Sequence, residues 1–167
     1  TPPFAEQELT NLLVRLSRTN NKPIMYLDGH GEKNLLGLKN HDLGAFGEQL
    51  EKKGFKFSNP DLTAINEVPK EGAMLVIASP QVPVTKPEAQ KILNYVENGG
   101  NILWLLDENN FQGLDALAQY LGLQISDGKV VDKSSLSFGS SEDMSYALIY
   151  GDHPVTVSYT HLRAHET

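Results

Sequence analysis

Residues 73–106 read AMLVIASPQVPVTKPEAQKILNYVENGGNILWLL, two apolar runs separated by a loop and a helix. Ala73 to Ala78 is apolar throughout, and so is Ile102 to Leu106, which suits strands of a parallel sheet covered on both faces. Ser79, Pro80, Gln81, Val82 and Pro83 form a stiff loop after the first run. Thr85 and Glu88 then have the spacing of a capping box, with Pro87 in the first turn. Ala89, Ile92, Leu93 and Val96 recur on one face of the helix they open, and Gly99 and Gly100 close it. Strand, helix, strand in this order predicts a right-handed crossover unit.

The same alternation extends upstream. Glu6 to Arg18 places Leu9, Leu12, Leu13 and Leu16 at helical spacing. Pro23 precedes a strand over Ile24 to Leu27, and Asp28, Gly29, His30, Gly31 and Glu32 form the loop after it. A second helix starts near Asn40, buries Leu43, Phe46 and Leu50, and stops before Gly54. Phe55 to Phe57 is a short strand, ended by Asn59, Pro60 and Asp61.

Downstream, Asp107, Glu108, Asn109 and Asn110 end the second apolar run, and Leu114 to Leu121 is a helix stopped by Gly122. Gln124 to Ile125, Lys129 to Val131 and Tyr146 to Tyr150 are short strands, with a mobile loop over the Ser/Gly-rich stretch Ser134 to Ser141. His153, before Pro154, is a turn residue. The expected fold is a three-layer α/β domain: a mostly parallel sheet in flavodoxin-like order with helices on both faces.

At 167 residues the chain has the length of one domain, and it contains no cysteine, hence neither a disulfide framework nor a thiol nucleophile. Its net charge is −7 and its basic residues are scattered, which argues against nucleic acid as a partner. The sequence has no initiator Met, no signal peptide and no apolar stretch near 20 residues in length. Residues 1–156 are therefore expected to be one domain of a longer protein. Val157 to Thr167, VSYTHLRAHET, resembles the translated end of a transposase-based sequencing adapter and is expected to be a non-native, disordered tail. It holds one Arg and one Glu, so the net charge is the same without it.

In a parallel sheet the loops after Leu27, Phe57, Ala78 and Leu106 leave one edge. That brings His30, Glu32, Ser79, Gln81, Asp107 and Asn109 toward one crevice. His30 and Glu32, with His41 and Asp42 further on, offer nitrogen and oxygen ligands for a divalent ion, although their spacing matches no defined metal motif. Otherwise His30 and Glu32 hydrogen-bond the loop to neighbouring backbone amides, while Asn40 or Asp42 caps the second helix. Trp104, inside an apolar strand, belongs to the core. There is no Walker loop and no dinucleotide fingerprint.

Four segments together carry a resemblance: Gly29-His30-Gly31-Glu32; Asn40-His41-Asp42-Leu43-Gly44; Val76 to Pro83; and Tyr95 to Asn101 continuing to Asp107. They are similar to the soluble domain of GldG-like ABC transporter auxiliary proteins, over about Leu9 to Thr156. The resemblance implies a fold akin to class I glutamine amidotransferases; no cofactor is expected. It also implies an extracytoplasmic (periplasmic) domain on the bacterial inner membrane, anchored by transmembrane helices that this chain lacks. An ABC permease and ATPase would be its partners, in a system of the gliding-motility-associated type. Amidotransferase chemistry needs a cysteine on a sharp strand-to-helix elbow, and no cysteine exists here. Ser79 follows a strand, but Pro80 supplies no amide for an oxyanion, and Pro83 and Pro87 delay the helix. The expectation is a non-enzymatic sensor, scaffold or ligand-binding domain whose crevice residues are His30, Glu32, Asn40, His41, Asp42, Ser79, Gln81, Asp107 and Asn109. The alternative is a metal-assisted hydrolase using His30 and Glu32.

Overall fold

The computed structural model describes residues 15, 22–32, 51–106, 110–126, 129–132, 144–150 and 153–159. Four parallel strands form the heart of the molecule: β1 (Ile24–Tyr26), β2 (Phe57–Ser58), β3 (Met74–Ala78) and β4 (Ile102–Leu106). Their order is β2-β1-β3-β4, so the chain goes from β1 to an outer strand and returns past β1 to β3. This is the expected flavodoxin-like order, with its topological switch point between β1 and β3.

Both faces of this sheet are dry, and the fold is a three-layer α/β one. Met25, Leu27, Leu75, Ile77, Ile102, Trp104 and Leu106 point to one side, where α1 (Lys86–Glu97) and α2 (Asp115–Leu121) supply Ile92, Val96, Leu117 and Ala118. The alternate residues Ile24, Met74, Val76, Leu103 and Leu105 are buried as well. Burial on both faces is the reason β3 and β4 read as unbroken apolar runs. Trp104 is 1% exposed and stacks at a tilt against Phe111, with ring centroids 5.8 Å apart.

The element ends follow local chemistry. Thr85 and Glu88 form the expected capping box on α1. At its other end Gly99, at φ 93°, donates to Val96 O, and Gly100 N donates to Tyr95 O. Those two bonds make a Schellman motif. α2 begins one residue later than expected, after Leu114, and ends at Gly122 in the left-handed conformation.

Three expectations needed correction. The short strand expected at Phe55 to Phe57 is Phe57–Ser58, because β1 is only three residues long and pairs with it at two positions. Beyond β4 the sheet turns antiparallel: β7 (Met144–Tyr150) pairs with β4, and β8 (His153–Tyr159) pairs with β7. β5 (Leu123–Ser126) and β6 (Lys129–Asp132) make a separate hairpin. His153 is thus the first residue of a strand, opposite Tyr150, rather than a turn residue. Val157, Ser158 and Tyr159, expected to be disordered, continue β8 against Tyr146, Ser145 and Met144. Alternating Val155, Val157 and Tyr159 suit a pleated strand, so the local propensity favours pairing. The two helices expected before β2 and the loop over Ser134 to Ser141 lie outside the described residues, apart from Arg15, Glu51 and Lys52, which are helical.

Candidate functional site

The loops after β1, β2 and β3 meet at one edge of the sheet around a crevice of about 560 Å³. Asp28, Gly29 and His30 line it from the first loop, Asn59 to Thr63 from the second, and Val82, Pro83, Thr85 and Glu88 from the third. The position is that of ligand sites in open α/β folds, outside the carboxyl ends of the strands and beside the switch point.

The switch point itself is filled by the protein. His30 is 6% exposed, and its carbonyl accepts from Gln81 N at 2.7 Å and from Val82 N at 3.1 Å. Gly31, at φ 76°, brings the first loop so close to the third that a Cβ there would lie 3.0 Å from Gln81 Cβ. The imidazole is held on both sides. Nδ1 is 2.8 Å from Glu32 Oε2, and Nε2 is 3.1 Å from Glu88 Oε1. The other Glu32 oxygen accepts from His30 N at 2.7 Å. Glu88 Oε1 also accepts from Thr85 Oγ1 at 2.8 Å, as part of the helix cap. A neutral imidazole has one N–H, so only the imidazolium can donate to both carboxylates.

The titration of the cluster follows from this geometry. Burial pushes His30 downward, but its hydrogen bonds to Glu88 and Glu32 and the charges of both carboxylates outweigh it and hold the pKa above 6.5. Burial likewise pushes Glu88 upward, and the bonds from His30 and Thr85 overcome it and hold the carboxyl below its usual range. At the rim, hydrogen bonds from the Thr63 side chain and amide lower Asp61, and Asp28 Oδ2 accepts from Asn59 Nδ2 at 3.5 Å.

Of the residues expected in the crevice, His30 lines it, while Glu32 and Gln81 brace His30 from behind. Ser79 is not in the lining: it is completely buried, at φ 52°, and its hydroxyl has no hydrogen-bond partner. The elbow after β3 is therefore sharper than the prolines suggest. Pro80 offers no amide, however, and Gln81 N is bonded to His30 O. Asn40, His41, Asp42, Asp107 and Asn109 lie outside the described residues. Glu88 is the important member that sequence reasoning placed only in a helix cap. Its capping role was legible from Thr85 and Pro87, but its contact with His30 depends on how two loops pack.

Both ring nitrogens of His30 face carboxylates, which leaves no lone pair aimed into the crevice. Among the described residues no group of three or more His, Asp or Glu side chains is arranged to hold a metal ion.

The crevice and the sheet order define a flavodoxin-like α/β domain with a strand-end surface whose central ionisable groups are paired with one another. The family model of the ABC-type uncharacterized transport system auxiliary proteins matches residues 21–154, and the chain belongs to that family. A search of curated proteins found no match.

Proposed function

We propose that this domain is a non-enzymatic auxiliary of an ABC-type transport system, using its strand-end crevice as a ligand- or partner-docking surface. One observation carries the reading: both ring nitrogens of His30 are taken by Glu32 and Glu88, Glu32 also accepts from His30 N, and Glu88 Oε1 also accepts from the Thr85 hydroxyl and amide. General acid–base catalysis needs a group within reach of the substrate's proton, and His30 is braced away from that role. Family membership supports the transport context.

The finer reading is that of a GldG-like, gliding-motility-associated system. The domain would stand on the extracytoplasmic face of the bacterial inner membrane, held by transmembrane segments outside this chain, and would work with an ABC permease and ATPase. Among the described residues no helix is long and apolar enough to cross a membrane. The test is to express the full-length protein with the ABC permease and ATPase encoded beside its gene, and to purify the permease. Recovery of all three in fixed ratio is expected. Absence of such neighbouring genes, or a permease and ATPase that purify without this protein, would overturn the proposal.

A further inference from the structure

At the opposite edge of the sheet, where the strands begin, lies a second cavity of about 400 Å³. It is bounded by Lys22 before β1, Glu67 and Lys70 between β2 and β3, and the carboxyl end of α1. Its floor is rigid. Tyr95 Oη donates to Asn101 O at 3.0 Å, and Asn101 Nδ2 donates to Ala73 O at 2.9 Å, which ties α1 to the starts of β3 and β4. Burial pushes the Tyr95 hydroxyl up to about 12, so it stays a neutral donor at any working pH. Gly100 is required here, because a Cβ would lie 2.5 Å from the Tyr95 ring.

The rim is charged and uncommitted. Lys22, Glu67 and Lys70 are exposed, and none of them makes an ion pair or a hydrogen bond with a described residue. By contrast, Lys91 on α1 is tied to Leu62 O. α1 has no basic residue in its last turn, and its end carbonyls are taken within the cap: Asn98 Nδ2 donates to Asn94 O at 2.7 Å, Gly99 N to Val96 O and Gly100 N to Tyr95 O. The cavity offers two ammonium groups and one carboxylate around a floor of Val68 and the Tyr95 ring. Its volume is in the range of small-molecule sites, which join an apolar floor to a few polar groups.

We propose that this cavity is a binding site for a small zwitterion carrying one carboxylate and one ammonium group, of free amino acid or dipeptide size. Lys22 and Lys70 hold the carboxylate. Glu67 holds the ammonium, and the aliphatic part lies over Val68 and Tyr95. The lining carries charges of both signs, so an ion of one sign meets a like charge as well as an attractive one, whereas a molecule with both charges can satisfy each.

The test compares three probes by amide NMR titration of the whole chain: L-alanyl-L-alanine, N-acetyl-L-alanine, which lacks the ammonium, and L-alaninamide, which lacks the carboxylate. Saturable shifts at Gly72, Gly99, Gly100 and Asn101 are expected, with the dipeptide binding at least tenfold more tightly than either analogue. Glu67→Gln should lower dipeptide affinity to the level of N-acetyl-L-alanine and leave that analogue's affinity unchanged or improved. Lys70→Met should do the reverse for L-alaninamide. Both positions are exposed, and the same spectra verify folding. Non-saturating shifts, equal affinities for the three probes, or saturable shifts confined to the His30 loop would each overturn the proposal. None of these results bears on partnership with the permease.

Discussion

His30 Nε2 and Glu88 Oε1, 58 residues apart in the chain, stand 3.1 Å from each other, and through this contact the loop after β1 is fastened to the first turn of α1. Because Glu32 takes the other ring nitrogen, the proton on His30 decides whether both contacts are attractive. The folded-state pKa of His30 is raised, so its contribution is fully present below 6.5 and is lost as pH rises through the folded value above it. The folded-state pKa of Glu88 is lowered from 4.5, so its contribution is present above 4.5 and is lost as pH falls through the folded value below it. Melting temperatures measured from pH 4 to 9 should be highest between about pH 4.5 and 6.5. His30→Asn should flatten the alkaline decline; an identical decline in the variant would exclude His30 as its source.

Glu88 does two tasks that substitution can separate. Glu88→Gln keeps an oxygen for Thr85 but removes the charge facing His30, whereas Thr85→Ala removes the cap and leaves the ion pair. Each is expected to cost about 1–2 kcal/mol in urea unfolding. The cycle of His30→Asn with Glu88→Gln should show coupling of at least about 0.5 kcal/mol, and the cycle of His30→Asn with Thr85→Ala should show less. Equal coupling in both cycles would mean that the cap and the ion pair act as one unit.

Gly99 and Gly113 both have positive φ, 93° and 82°, but differ in their surroundings. A Cβ at Gly99 meets nothing within 4 Å, whereas at Gly113 it would run into the Val84 backbone. Gly99→Ala is expected to cost about 1 kcal/mol, from backbone conformation alone. Gly113→Ala should cost clearly more, about 2–3 kcal/mol. It should also disturb the Val84 N to Gln112 O bond, visible as faster exchange of the Val84 amide.

Trp104 fills the centre of the face shared with α1 and α2. Trp104→Ala should destabilise the domain by about 3–5 kcal/mol, read from the denaturation midpoint. Trp104→Leu should recover part of the loss by refilling the space, but not the tilted contact with the Phe111 ring.

Some residues announced their roles because the governing interactions are local. Thr85, Pro87 and Glu88 specify a helix start within one turn, and Gly99 and Gly100 its end. The unbroken apolar runs at Met74–Ala78 and Ile102–Leu106 reveal two-sided burial, and with it the parallel sheet and the edge from which His30 emerges. The strands after α2 were legible as strands, but not their direction. Whether Met144–Tyr150 runs with or against Ile102–Leu106 depends on the path of the intervening chain, not on alternation within either strand.

The sequence by itself therefore determined the α/β class, the ends of α1 and the placing of the His30 loop at a strand end, since periodicity and caps act over a few residues. Only the tertiary structure decided what His30 does. The close approach of Gly31 to Gln81 and the placement of α1 bring Glu88 against an imidazole far away in the chain. A buried charge must find its partner nearby in space, and the sequence does not encode that neighbour by spacing. The same packing turned Ser79 inward and out of the crevice.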